Sequence, residues 1–269
     1  MEMKFANIVP ITGYVTNFVV RTLGTGREVA NIGIKDELTN NSCYVSLFGR
    51  EGLKYGETPV TLKELYNIFM NSNGEPRHVL VTLNAKVAEN KYISKKSGQE
   101  VVSQNITAFN IAPCSDPAKQ RIIFRMTGIV DSIKESGDGN EYKIRLGILT
   151  KNRDKQYAGI EYNNLVVRDD CKLALEDKGI ERFAMIDVAG SILNRREYDY
   201  YGMPQGTVRE IRIESVGKVT TEDRLDDIET YKLIKSGKYN PDEAAPFKED
   251  TSVKKAEKTD DELLAELGL

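Results

Sequence analysis

Hydrophobic and polar positions alternate along most of this chain, in short runs separated by turn residues. In the first half the alternation covers residues 11–15, 27–36 and 42–49, and then 78–90 and 100–113. A period of two residues is typical of strands that bury one face. We therefore predict three strands, a gap, and two further strands.

The gap between the third and fourth strands has the pattern of a helix. Thr61 and Glu64 have the spacing of a capping box, in which each side chain bonds the backbone of the other residue. The apolar residues that follow fall at helical spacing: Leu62, Leu65, Ile68 and Phe69. The order of the first half is therefore three strands, one short helix and two strands.

The second half repeats this order. Its strands are predicted within residues 126–130, 141–149, 158–167, 184–202 and 207–219. Asp169 and Asp170 offer an N-cap for a helix after the third strand. The clearest match between the halves is Thr-Gly-Tyr-Val at 12–15 and Thr-Gly-Ile-Val at 127–130. An internal repeat of about 115 residues indicates two copies of one structural unit.

This order of elements describes the OB-fold, a partly open five-stranded barrel. We predict a mainly β protein of two tandem OB-fold barrels, each with one short helix, followed by a disordered acidic C-terminal tail. The predicted boundaries are 1–115 for the first barrel, 116–121 for a linker, 122–219 for the second barrel and 220–269 for the tail. OB barrels bind oligonucleotides or oligosaccharides on the face of strands 2 and 3.

Charge is distributed unevenly along the chain. The formal net charge is −3, but residues 220–269 hold 14 acidic and 8 basic residues, so the body carries 27 acidic and 30 basic residues. The body is mildly basic and the tail is acidic. This division permits a polyanion as the partner of the body.

Enzyme chemistry has little support in the sequence. Cys43, Cys114 and Cys171 are widely spaced, and His78 has no nearby Cys or Asp cluster. We therefore expect no catalytic site, metal or cofactor. Because no apolar run is long enough for a membrane span and no signal peptide opens the chain, we expect no membrane partner and a cytoplasmic location.

Four segments of the first half resemble a known family. They are Val-Ser-Leu-Phe-Gly-Arg (45–50), Asn-Lys-Tyr (90–92), Lys-Ser-Gly-Gln-Glu (96–100) and Asn-Ile-Thr-Ala-Phe (105–109). Over residues 8–113 the chain resembles bacterial single-stranded-DNA-binding proteins and their phage relatives. The resemblance implies that Phe48 stacks on a base and that a hairpin projects over DNA. The chain differs from the family in having no Trp, and its second half lacks the Phe-Gly.

Strand alternation indicates which side chains are exposed. Cys43, Val45 and Leu47 share one face of their strand and are expected in the core, while Tyr44, Ser46 and Phe48 point outward. On the neighbouring strand we expect Ala30, Ile32 and Ile34 inside and Arg27, Asn31 and Lys35 outside. Exposed aromatic residues beside basic ones suit single strands, because bases stack on the rings and cations hold the phosphates. The predicted nucleic-acid-binding residues are Arg21, Arg27, Lys35, Tyr44, Phe48, Arg50, Lys91, Tyr92, Lys95, Lys96, Lys143, Arg145, Arg195, Arg196, Tyr198 and Tyr200.

Other interpretations stay open at this stage. Tyr44 and Phe48 could pack under a loop or in a subunit interface, and Tyr198 and Tyr200 could pack against neighbouring strands. A protein with these features could instead bind RNA or connect parts of a larger assembly. The oligomeric state is left open between monomer and dimer.

The tail combines a polar stretch with an apolar end. Residues 224–229 have the composition of an exposed charge run, and residues 241–259 have too few large apolar residues for a core. The predicted partner-binding tip consists of Asp260, Asp261, Glu262, Leu263, Leu264, Leu267 and Leu269. The resemblance implies that this tip docks replication, recombination or repair proteins, although its leucines replace the usual Pro-Phe ending. The alternative is a C-terminal helix folded back on a barrel.

Overall fold

The first half of the chain forms a closed five-stranded barrel. The computed structural model describes residues 5–93, 98–136, 141–152, 156–198, 203–218 and 224–240. The elements of the first barrel are β1 (Ala6–Thr22), β2 (Glu28–Asp36), β3 (Asn41–Phe48), the two-residue strands β4 (Lys54–Tyr55) and β5 (Thr58–Pro59), α1 (Leu62–Phe69), β6 (Leu80–Ile93) and β7 (Glu100–Pro113). β1 pairs with β2 and β6, β2 with β3, and β6 with β7, all antiparallel, and a parallel β3–β7 pair closes the barrel.

The second half forms a barrel with the same connections. Its elements are β8 (Arg121–Glu135), β9 (Glu141–Lys151), β10 (Tyr157–Arg168), α2 (Asp169–Asp177), β11 (Met185–Tyr198) and β12 (Pro204–Lys218). β10 and β12 form the parallel pair that closes it. The predicted fold of two tandem OB-type barrels is therefore confirmed. A short 3-10 turn at Pro117–Lys119 lies in the predicted linker, whose last residue, Arg121, begins β8.

The cores consist of the inward positions of the strands. The six residues predicted inside the first barrel are almost fully buried: Ala30, Ile32, Ile34, Cys43, Val45 and Leu47. Each large apolar side chain buried in this way stabilises the fold by about 1.5–3 kcal/mol. Burial also raises the pKa of the Cys43 thiol to about 12, so this cysteine is an inert core residue.

The repeated Thr-Gly dipeptide has a steric origin. A Cβ atom on Gly13 would lie 2.6 Å from the carbonyl oxygen of Lys35, and one on Gly128 would lie 2.8 Å from that of Gly147. In both barrels a register shift follows two to four residues later in the same strand. Bulges bend and coil a strand, and glycine permits the close approach of a neighbouring backbone. The motif therefore marks where the first strand of each barrel bends across the second.

The two barrel helices begin differently. At α1 the Glu64 N–H donates to Thr61 Oγ1 at 3.2 Å and the Thr61 N–H donates to the Glu64 carboxylate at 2.7 Å, so the predicted capping box is confirmed. At α2 the predicted N-cap is wrong, because Asp169 is already helical and the N-cap is Arg168, which makes no side-chain capping bond. Its guanidinium instead donates to Glu210 at 3.0 Å. No helix in the described ranges is long and apolar enough to cross a membrane.

Hydrogen bonds between one strand of the first barrel and one strand of the second join the two barrels. β1 pairs with β8 in antiparallel register from Ala6 opposite Thr127 to Thr12 opposite Arg121, so one sheet runs through both barrels. The buried Asn41 adds a second connection. Its Nδ2 donates to the Ile192 carbonyl at 2.6 Å, and its Oδ1 accepts from the Asn194 N–H at 2.9 Å. This amide holds β11 of the second barrel beside the start of β3.

A third helix, α3 (Leu225–Lys235), lies within the range predicted as tail. The expectation of an exposed charge run at 224–229 is wrong for Asp227, which is buried and accepts from the Tyr157 hydroxyl at 2.6 Å and from Arg224 at 3.0 Å. The apolar residues of this segment do not form one buried stripe, since Leu225 and Leu233 are exposed, which explains the error. The tip, Asp260 to Leu269, lies outside the described residues, as does all of 241–269.

α3 packs on the outer side of β9 through Tyr231. The Tyr231 ring is fully buried and lies where a Cβ on Gly147 would be, 2.5 Å from the Tyr231 Cε2 atom. Its hydroxyl donates to Asp131 at 2.8 Å, and Lys235 pairs with the same carboxylate. Burial alone would raise the pKa of Asp131, but the hydrogen bonds from Lys235 and Tyr231 outweigh it and lower that pKa. These contacts attach α3 to the second barrel.

One buried polar group weakens the second barrel. Asn163 lies on the inner face of β10 with no exposed surface, and neither its Nδ2 nor its Oδ1 has a hydrogen-bond partner among the described residues. Asn163 of β10 lies opposite Leu146 of β9, just as Cys43 of β3 lies opposite Ile34 of β2. Cys43 therefore occupies the equivalent position in the first barrel, and its side chain is apolar. A buried amide without partners costs about 1–3 kcal/mol.

We expect Asn163→Val to raise the free energy of unfolding by about 1–2 kcal/mol, because it removes this desolvation cost and keeps a β-branched residue in the strand. Urea denaturation measures the change. Asn164→Val, on the exposed side of the same strand, is the matched control and should not stabilise. A less stable Asn163→Val protein would show that the amide is needed where it is.

Candidate nucleic-acid interface

The outer side of the first barrel presents a continuous surface across β1, β2 and β3. The strand register arranges its residues in three rows: Asn17–Gly33–Tyr44, Val19–Asn31–Ser46 and Arg21–Val29–Phe48. We call this surface the open face. As predicted, Tyr44 and Phe48 lie on the side of β3 opposite the core residues.

Tyr44 is the most exposed aromatic residue of the open face. Its exposed fraction is 66%. The residue directly opposite on β2 is Gly33, which has no side chain to cover the ring. Exposed apolar side chains that lie together in a patch often mark a binding site, and Tyr44 lies in the row next to that of Phe48. The exposure of Tyr44 therefore favours a ligand-binding role over packing within the described chain.

Phe48 is half-buried and is accompanied by a cation. The Arg27 guanidinium lies over its ring, with Cζ 4.8 Å from the ring centroid. Arg27 itself is exposed. A guanidinium over an aromatic face is a favourable contact, and it places a positive charge beside the Phe48 ring.

A third aromatic residue, Phe109, extends the open face onto β7 and was missed by the sequence analysis. The parallel register places Ala108 opposite Leu47, so Phe109 follows beside Phe48 on the outer side. Its exposed fraction is 41%, and its carbonyl accepts from the Arg50 guanidinium. The signal was present in the sequence, since Ile106 and Ala108 alternate with outward residues as the core positions of β3 do.

Three of the predicted basic residues of the first barrel lie around this surface. Arg21 is exposed at the end of β1, where it and Arg27 flank the β1–β2 loop as predicted. Lys35 is half-buried on β2, one row beyond Tyr44. Together with Arg50, these cations border the aromatic residues on both sides.

The predicted hairpin residues are described only in part. Lys91 and Tyr92 lie in β6 opposite Val102 and Val101, but their side chains are outside the described residues, as are those of Arg196 and Tyr198 in β11. Lys95, Lys96 and Tyr200 fall outside the described residues entirely. Arg195 is half-buried and follows Asn194, whose carbonyl accepts from Ser42 at 3.0 Å. The second-barrel hairpin therefore begins beside β3.

The second barrel differs from the first on the corresponding side. Arg145 lies between the barrels, with Cζ 4.0 Å above the Tyr162 ring and Nη2 3.4 Å from Glu89 of β6. Lys143 is exposed, 3.4 Å from Glu141. In the register the positions of Tyr44, Ser46 and Phe48 correspond to Asn164, Val166 and Arg168. Because α3 also lies on this side, we leave Arg145 out of the candidate interface.

Comparisons with known proteins give a distant structural likeness. No protein-family model and no curated protein matches the chain. The chain is similar to two crystal structures of the single-stranded DNA binding protein from Thermus aquaticus. The match to the wild-type structure has a TM-score of 0.49 and 14% identity, and it covers 81% of this chain and 95% of the Thermus aquaticus chain. A deletion mutant has a TM-score of 0.49 and 13% identity, with coverages of 81% and 96%.

Proposed function

We propose that the chain binds single-stranded DNA with little sequence preference along the open face, and protects single strands in replication, recombination or repair. The observation that supports this most directly is the exposed Tyr44 ring beside Phe48 and Phe109 on a surface bordered by arginines. Bases stack on Tyr44 and Phe48, and Phe109 extends the platform. Arg21, Arg27, Lys35 and Arg50 hold the phosphates.

Stacking on aromatic rings selects single strands over duplex. Every base has a π-face, and each stacked base contributes about 1–3 kcal/mol whatever its identity. In a duplex these faces are already stacked on neighbouring bases. Rings that stack on bases therefore require unpaired nucleotides.

The polar groups between the rings offer little for reading base edges. Ser46 Oγ donates to Asn31 Oδ1 at 3.2 Å, so these two central side chains bond each other. Sequence recognition needs donors and acceptors directed at base edges. The pairing of Asn31 with Ser46 thus supports sequence-tolerant binding.

The second barrel contributes its β11–β12 hairpin. Because Asn41 and Ser42 bond the backbone of β11, the hairpin starts from the edge of the open face. We propose secondary contacts with the strand from Lys143 and from the two hairpins, through Lys91, Tyr92, Lys95, Lys96, Arg195, Arg196, Tyr198 and Tyr200. The body of the second barrel mainly supports the first.

We also propose that the acidic C-terminal tail regulates binding and recruits partners. Its acids would compete with DNA for the basic residues of the open face. Its apolar tip, from Asp260 to Leu269, would dock proteins of replication, recombination or repair.

Titration of fluorescently labelled oligo-dT, oligo-U and duplex DNA tests the proposal. We expect oligo-dT to bind much more tightly than duplex. The four phosphate contacts of the open face alone should give a slope of log K against log salt of about −3, and contacts from the hairpins should make it steeper. Equal affinity for duplex, or no dependence on salt, would contradict the proposal, and tighter binding of oligo-U would make RNA the ligand.

The stacking role of the rings is tested by Tyr44→Ala and Phe48→Ala. Each should weaken oligo-dT binding by about 1–3 kcal/mol and leave the melting temperature near that of the wild type. Leu173→Ala is the matched control, because Leu173 on α2 has an exposed fraction of 64%, close to that of Tyr44. If Phe48→Ala melts many degrees lower yet binds normally once folded, Phe48 is a packing residue.

Deleting residues 250–269 should leave folding intact, tighten DNA binding at low salt and abolish capture of a replication or recombination partner. The variant Asp260→Asn, Asp261→Asn, Glu262→Gln removes charge and keeps the leucines, so it should tighten DNA binding while the leucines remain available for docking. DNA affinity and pull-down are the measurements. A truncation that unfolds the protein, or one that alters neither property, would refute these roles.

A further inference from the structure

A pair of stacked rings, one of them exposed, lies beside the open face. The Tyr14 and His78 rings are parallel within 9°, with centroids 3.9 Å apart. Tyr14 is half-buried in β1 and opposite Leu80 of β6, while His78 precedes β6 and is exposed. Since one face of the imidazole rests on Tyr14, its exposed surface is the opposite face and the ring edges.

The backbone holds His78 in an unusual conformation. Its φ is +54°, in the left-handed region that residues other than glycine rarely adopt. Hydrogen bonds fix the residues on either side, since the Arg77 N–H donates to the Phe69 carbonyl at 2.8 Å and the Val15 N–H to the Val79 carbonyl at 3.0 Å. Strained residues that persist because their surroundings fix them cluster at ligand-binding sites.

The strand register connects this pair to the open face. Tyr14 is opposite Lys35 on β2, and Lys35 is opposite Ser42 on β3. This row is adjacent to the row of Tyr44, which lies two residues after Ser42 on the same side of the strand. The rings of His78 and Tyr14 thus extend the open face toward β6, with Lys35 between them and β3.

We propose that the Tyr14–His78 pair is a further base-stacking site, so that a single strand crosses the first barrel from Phe48, over Tyr44, to the free face of His78. Lys35 then neutralises a phosphate between Tyr44 and His78. The inference rests on the proposed function, because its ligand is a base of the same strand.

Magnetic resonance observes this site directly, because His78 is the only histidine of the chain. Its imidazole ¹H–¹³C signals are therefore assigned without ambiguity. On adding saturating oligo-dT to the full chain, we expect these signals to move upfield through the ring current of a stacked base. Unchanged signals under conditions where anisotropy shows full binding would overturn the proposal.

A length series separates this site from the rest of the interface. His78→Asn removes the ring but tolerates positive φ, so the backbone is retained. We expect it to bind the longest oligo-dT at least about fivefold more weakly than the wild type, the lower end of one lost stacked base, and to bind the shortest competent oligomer normally. Ser72→Ala, an exposed change in the same loop, should bind both as the wild type does.

The outcomes distinguish the two proposals. Equal binding of His78→Asn and wild type at every length overturns this stacking site and leaves the proposed function standing. An equal loss at every length together with a lower melting temperature shows that His78 is structural and also overturns the site. If the wild-type chain does not bind single strands more tightly than duplex, the proposed function itself is contradicted.

Discussion

The arrangement of the whole molecule depends on β1, which pairs with β2 and β6 in its own barrel and with β8 in the other. A strand with partners on both sides cannot shift its register without exposing its apolar positions. This shared strand fixes the second barrel relative to the first. The Asn41 amide can then reach the backbone of β11 and set the start of the second hairpin beside the aromatic residues of β3.

The two barrels are alike at most interior positions, with Asn163 in place of Cys43 as an exception, and they differ on their exteriors. Gly13 and Gly128 meet the same steric demand, and the bulges after them match. Outside, one barrel presents Tyr44, while on the corresponding side of the other Tyr231 of α3 lies over Gly147. Burial constrains interior positions to a few apolar residues, whereas surface positions are free to take on different partners. A duplicated fold can thus provide one binding surface and one support.

Alternation and the capping box were sufficient to predict the strand order, the core of the first barrel and α1, because those signals are local. Contacts between residues that are far apart in the sequence could not be predicted from local patterns. Nothing local to Asn41 indicates that its amide meets β11, about 150 residues away, or that Arg145 contacts Tyr162 and Glu89. α3 was missed because its burial depends mainly on Ile228 and Tyr231 among charged residues. The outward position of Phe109 could have been predicted from the same two-residue alternation that predicted the outward position of Phe48.

The β1–β8 pairing also has a consequence for how the protein responds to dilution. Strand pairing of this kind can equally join separate subunits, and it then weakens as the protein concentration falls. Here both strands belong to one chain, and a short connection from Pro113 of β7 to Arg121 of β8 ties the second barrel to the first, so the effective concentration of the two strands does not depend on how many molecules are present. The placement of the second hairpin beside Tyr44 is therefore the same in a single isolated molecule as in a concentrated solution.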